Sequence, residues 1–117
     1  MRRKHHDLQA WQEGIAFVKD IYALSTSFPK EETYGLTSQL RRAAISVPAN
    51  IAEGAARQTD KEFIQFLVIA RGSLSEAETL LILARELGYV ETVSPERLDR
   101  LFGLIGGLIR SLKERNL

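Results

Sequence analysis

Cysteine is missing altogether from this 117-residue chain, which excludes disulfides, thiolate metal sites and cysteine nucleophiles. A reducing cytoplasm is the natural setting for such a composition. Histidine is nearly missing: the two present, His5 and His6, are adjacent near the start. No Glu-x-x-His pair is available, as a di-iron helical bundle would need. An excess of one charge is lacking too. Sixteen basic and fifteen acidic residues leave a net charge of +1, short of the basic excess usual in nucleic-acid binders. There is no long apolar run. The longest, Leu101 to Ile109, is bounded by Arg100 and Arg110, whereas a membrane span needs roughly 20 residues. The basic start Met1-Arg2-Arg3-Lys4-His5-His6 leads into Asp7 and Gln9 rather than an apolar stretch, so no signal peptide is expected. A phosphate-binding glycine loop, a His-Glu-x-x-His motif and a nucleophile elbow are all absent. The chain is therefore expected not to be an enzyme and to need no cofactor or metal.

What is present is helical periodicity. The length suits one domain, and apolar residues return every three or four positions in four segments, about 8–27, 37–56, 60–87 and 95–115. Residues 1–6 are expected to form a mobile basic tail. In the first segment Leu8, Trp11, Ile15, Val18 and Tyr22 form a seam, widened by Ile21 and Leu24, with Asp7 as N-cap. Phe28-Pro29 ends it. The second segment, with Thr37 or Ser38 as cap, carries Leu36, Leu40, Ala43, Val47, Ile51 and Gly54. That pattern keeps its phase through Pro48, so a kink is favoured there over a break.

Thr59-Asp60-Lys61-Glu62 reads as a capping box opening the third helix, and Gly88 as its left-handed stop. Between them Phe63, Leu67, Ala70, Leu74, Ala77, Leu81 and Ala84 make the cleanest heptad of the chain. A second stripe, Phe66, Ile69, Leu80, Leu83 and Leu87, runs beside it. Either this helix is the most buried one, or the second stripe docks another subunit, with Phe66, Ile69, Leu80 and Leu83 as interface candidates. Ser94-Pro95-Glu96 starts the fourth helix, whose seam is Leu98, Leu101, Ile105, Leu108 and Leu112, widened by Phe102 and Ile109. Gly103, Gly106 and Gly107 sit inside it, each costing ~1 kcal/mol against alanine. They either admit a neighbouring helix or relieve crowding. Short connections imply an all-α, antiparallel up-down-up-down four-helix bundle.

The informative polar residues lie on the second and third helices. Arg42, Ser46, Asn50, Glu53 and Arg57 share one side of the second. Pairing the two helices antiparallel about the 57–60 turn brings Ser46 near Arg71 and makes Arg42 with Glu76 a candidate ion pair. One reading is a polar network that fixes register, built from Arg42, Ser46, Asn50, Glu53, Arg71 and Glu76. The other is a phosphate-contacting surface of Arg41, Arg42, Arg57, Lys61 and Arg71, since the guanidinium fork suits phosphate oxygens.

Several stretches are similar to those of a known family. They are Asp7-Leu8 with Trp11-Gln12, Phe28-Pro29, Tyr34-Gly35-Leu36-Thr37-Ser38-Gln39-Leu40-Arg41-Arg42-Ala43-Ala44, Ser46-Val47-Pro48-Ala49-Asn50-Ile51-Ala52-Glu53-Gly54, Glu62-Phe63 and Ala70-Arg71-Gly72-Ser73-Leu74-Ser75-Glu76. Together they resemble the bacterial four-helix-bundle family named for proteins encoded in intervening sequences of large-subunit ribosomal RNA genes. The resemblance covers nearly the whole chain. It implies a four-helix bundle, often a ring-like pentamer. It also implies kinship with the accessory protein of diversity-generating retroelements, which resembles a basic barrel working with a reverse transcriptase and RNA. On that basis the expected partners are further copies of the chain, and RNA or a reverse-transcriptase-like protein.

Overall fold

The computed structural model describes residues 2–93 and 95–116. Four helices follow in order: α1 (Gln9–Ser25), α2 (Leu36–Ala55), α3 (Asp60–Glu86) and α4 (Glu96–Glu114). Each packs on the next in sequence, α2 with α3 most extensively, and α1 against α4 closes the bundle. No strand occurs among the described residues. The fold is an all-α four-helix bundle. At 27 residues, α3 is ~40 Å long and spans most of the 48 Å long axis.

The core follows the heptads of α2 and α3. Every seam residue of α3 named above is buried, and so is every one of α2. Leu40, Val47 and Ile51 of α2 meet Leu67 and Leu74 of α3 and Leu101 and Ile105 of α4, all wholly inaccessible to solvent. Burying each such side chain contributes roughly 1.5–3 kcal/mol. In α4 the seam holds at Leu98, Leu101, Ile105 and Leu112, while Ile109 is buried in place of Leu108, which is half-buried. α2 runs unbroken through Pro48.

α1 turns inward a different face from the expected seam. Ala10, Gly14, Phe17, Ile21 and Ser25 are buried, whereas Ile15 and Tyr22 of the expected seam are 40% and 41% exposed. Leu8, Trp11, Val18 and Leu24 flank the core, partly buried. Pro48 explains the rotation. A Cβ on Gly14 would lie 3.1 Å from the Pro48 Cβ, so the proline ring seats on a residue with no side chain. That contact turns the Gly14 side of α1 inward, with Phe17 and Ile21, and leaves Ile15 and Tyr22 outward.

The helix ends show how local chemistry sets these boundaries. At α3 the Thr59 hydroxyl accepts from the Glu62 N–H at 3.2 Å and itself donates to the Glu62 carboxylate at 3.0 Å. The carboxylate thus takes the hydroxyl proton rather than the Thr59 N–H of a reciprocal box. Gly88 closes the helix at φ 80°, and the Tyr89 N–H reaches back to Ala84 O at 2.9 Å, as in a Schellman stop. Neither Thr37 nor Ser38 caps α2. Gly35 occupies the cap position, and Glu32 supplies the acceptor for the Leu36 N–H at 3.1 Å.

Asp7 does not cap α1, because its carboxylate pairs with Arg2 and Leu8 holds the cap position. Lys4–Asp7 form a 3-10 turn. The rings of His5 and His6 sit 5.1 and 5.2 Å from Trp11. Burial against these neighbours, then His6, lowers the His5 pKa below its ordinary value. Pro95 precedes α4, its carbonyl accepting from the Asp99 N–H at 2.8 Å; the expected cap Ser94 lies outside the described residues. Neither account of the α4 glycines holds within one chain: a Cβ at Gly103, Gly106 or Gly107 would meet nothing within 4 Å.

Candidate functional site

The polar side of α2 faces α3, and one side-chain bond spans the two helices there. Ser46 Oγ and Ser73 Oγ are 2.8 Å apart. The Asn50 amide donates to both the carbonyl and the hydroxyl of Ser46, each at 2.8 Å. Of the expected network, then, Ser46 and Asn50 are joined, and their partner across the seam is Ser73. Arg71 is not part of it. Standing two residues from Ser73, it projects from another side of α3 and is exposed. Glu53 turns along its own helix to Arg57, 3.4 Å away.

Arg42 and Glu76 line one open polar groove with Tyr34, Gln39, Ser46 and Ser73. No ion pair joins Arg42 to Glu76, which corrects the expected bridge. The groove has a volume of about 520 Å³. Tyr34 stands at its lip, 97% exposed.

The five basic candidates are dispersed. The Arg41 Nε donates to Ser25 Oγ at 2.8 Å, and its guanidinium lies 4.4 Å from the Tyr22 ring centre. It therefore fastens α2 to α1. Arg57 is held between Glu53 and the Phe66 ring, 4.7 Å from that ring's centre. Arg42, Lys61 and Arg71 are exposed, and none of the three makes an ion pair among the described residues. Adjacent arginines on a helix project in different directions. Of Arg41 and Arg42, only Arg42 reaches the groove.

The interface candidates also divide. Phe66 and Leu80 are partly buried, while Ile69 and Leu83 are 51% and 45% exposed. Val68 at 45% and Ile82 at 43% stand beside them. The outer face of α3 thus carries two apolar pairs, Val68–Ile69 and Ile82–Leu83, two heptads apart or ~21 Å along the axis. Gly72, Ser75 and Thr79 lie exposed between the pairs.

Other polar contacts escaped sequence reasoning because their partners are far apart in the chain. Arg97 of α4 pairs with Glu13 and, at 2.7 Å, with Asp20 of α1, and Arg100 adds a contact to Glu13 at 3.4 Å. These charges rim a cleft of about 440 Å³ floored by Phe17, Ile21 and Leu81. Tyr89 donates to Glu32 at 2.9 Å, which raises the phenol pKa above its ordinary value, chiefly through that bond. Arg115 holds Asp60 with two bonds, at 2.6 and 2.7 Å, and Asn116 adds a third at 3.0 Å. Those donors lower the Asp60 carboxyl pKa to about 2. No group of three His, Asp or Glu side chains among the described residues is placed to hold a metal. No described helix is long and apolar enough to cross a membrane.

Fold and groove together define a four-helix bundle with a polar opening between its two central helices. Sequence comparison then gives the family: the 23S rRNA-intervening sequence protein family matches residues 6–111, and the chain belongs to it. Among solved structures, it is similar to a protein of unknown function from the S23 ribosomal protein family of Bacteroides thetaiotaomicron. The TM-score is 0.63 at 22% identity, over 88% of this chain and 94% of that one. At that identity the likeness bears on the fold alone. No curated protein matches the chain.

Proposed function

We propose that this protein is a non-enzymatic bundle that assembles with copies of itself through the outer face of α3. The observation that carries the reading is the pair of exposed apolar clusters, Val68–Ile69 and Ile82–Leu83. Isolated exposed apolar residues are ordinary, but clusters repeated at heptad spacing form a seam that a second helix can cover. The small residues between them let backbones approach. A ring of five is the assembly that the family resemblance implies. Ile69→Glu combined with Leu83→Glu puts two carboxylates into that seam. Sedimentation velocity is expected to show the variant as a folded monomer. A variant that still sediments as the unmodified protein does would rule out this face.

A second activity is favoured by Arg42, Lys61 and Arg71, whose charges have no ion-pair partner among the described residues. Repeated over several subunits, three free cations become a field that attracts RNA backbone although the net charge per chain is only +1. A reverse-transcriptase-like protein would then meet the assembly on the same RNA. Phosphate contacts release counterions, so RNA affinity is expected to fall steeply with salt and to weaken when Arg42 becomes Ala. Absence of salt-sensitive binding at low ionic strength would end the RNA reading and leave the assembly reading intact.

A further inference from the structure

We propose that the groove between α2 and α3 is a site for one unpaired guanine nucleotide. The assignment rests on the RNA reading above and adds which nucleotide is taken and by which groups. Tyr34 presents its ring at the lip of the groove, 97% exposed, and no ring or ion contact covers it among the described residues. Exposed aromatic rings are the platforms on which single-stranded bases stack. Arg42 and Glu76 line the same groove without pairing to each other. A ligand that engages both carries an anionic group for Arg42 and hydrogen-bond donors for Glu76.

An ionised carboxylate only accepts, and it has two oxygens to do so. Among the RNA bases, guanine alone sets two N–H donors side by side on its Watson–Crick edge, at N1 and N2. Adenine and cytosine place a ring-nitrogen acceptor next to their single amino group, where a carboxylate is repelled. Glu76 therefore reads guanine, Tyr34 stacks on it, and Arg42 takes its phosphate. The serine pair completes the site. Ser46 and Ser73 together hold two hydroxyl protons, and their mutual bond uses one. The other is available to the guanine O6.

The test uses the full chain and fluorescence anisotropy at low salt with labelled heptanucleotides: uridine throughout, or with a central guanosine, adenosine or inosine. The guanosine strand is expected to bind about tenfold more tightly than the adenosine strand, with inosine, which lacks the N2 donor, in between. Glu76→Gln is expected to erase the preference for guanosine over adenosine. Tyr34→Ala is expected to weaken all four strands at least about fivefold. Both residues are exposed, and circular dichroism verifies that the variants fold. Competition by free guanosine monophosphate would place recognition in the nucleotide itself. Failure of the monophosphate to compete, with the strand preference intact, would place it in an RNA strand. Salt-sensitive binding with no preference for guanosine, or a preference that survives Glu76→Gln, overturns the guanine site and spares the RNA reading. No binding of any strand overturns both.

Discussion

The α2–α3 pair and the α1–α4 pair share one apolar core but meet in different ways. Between α2 and α3 the contact is close and mostly apolar: Leu40, Val47 and Ile51 are buried with Leu67 and Leu74, and a hydroxyl pair spans the seam. Gly54 lets the helices approach near their shared turn, since a Cβ there would come within 2.7 Å of Phe66 Cβ. Between α1 and α4 the helices leave a cleft, and Arg97 and Arg100 tie its rim to Glu13 and Asp20. Packing energy depends little on salt or pH, whereas exposed charge pairs depend on both. One half of the bundle is a closely packed spine carrying the groove and the outer apolar face. The other half is a closure whose rim carries charge pairs that salt screens.

The largest effect should come from the spine. Leu74→Ala opens a cavity where no solvent reaches, and is expected to cost about 2–5 kcal/mol in urea unfolding. A loss below about 1 kcal/mol would mean that the seam is not close-packed. Glycines give the sharpest contrast between the two halves. Gly54→Ala forces a methyl group against Phe66 and Phe63 and is expected to destabilise by about 1–3 kcal/mol. Gly103→Ala, with nothing within 4 Å, is expected to stabilise by about 1 kcal/mol through helix propensity.

Removing the closure should matter less. Arg97→Ala deletes two partly exposed ion pairs and is expected to cost about 1 kcal/mol or less, with the difference from the unmodified protein shrinking as salt rises. An equal loss at high salt would show that the arginine acts by packing instead.

The smallest effect is confined to acid. Asp60 is held at a pKa of about 2 by Arg115 and Asn116, below its unfolded value of ~3.9. A lowered carboxyl pKa stabilises the fold fully above the unfolded value, and that contribution is lost as pH falls through the folded one. Thermal unfolding of Arg115→Ala between pH 5 and 2 should therefore lose part of the acid slope seen in the unmodified chain. Superimposable slopes would mean that the Arg115 contact does not persist in solution.

The same division governs how far the sequence could be read. The spine was legible because its seams obey strict spacing: the seam residues from Phe63 to Ala84 on α3 and from Leu36 to Gly54 on α2 are all buried. The face of α1 was not, because two apolar sets overlap there. Choosing between them takes the contact of Gly14 with Pro48, residues of different helices. The groove was half legible. Helical spacing put Ser46 and Asn50 on one side of α2, but a small error in interhelical register replaced Ser73 with Arg71 and suggested a bridge between Arg42 and Glu76. Arg41 and Arg42 look equivalent in sequence, and only the position of Ser25 and Tyr22 decides that Arg41 is an internal fastener. Tyr34, an aromatic in a polar loop, was a visible signal with no partner to interpret it by.

Self-assembly requires that the outer face of α3 be covered in solution. Light scattering of the unmodified protein at micromolar concentration measures this directly. The expected mass is a several-fold multiple of the 13.2 kDa chain, five-fold for a ring. A mass of one chain at every concentration would leave Val68, Ile69, Ile82 and Leu83 facing water and would contradict self-assembly through this face.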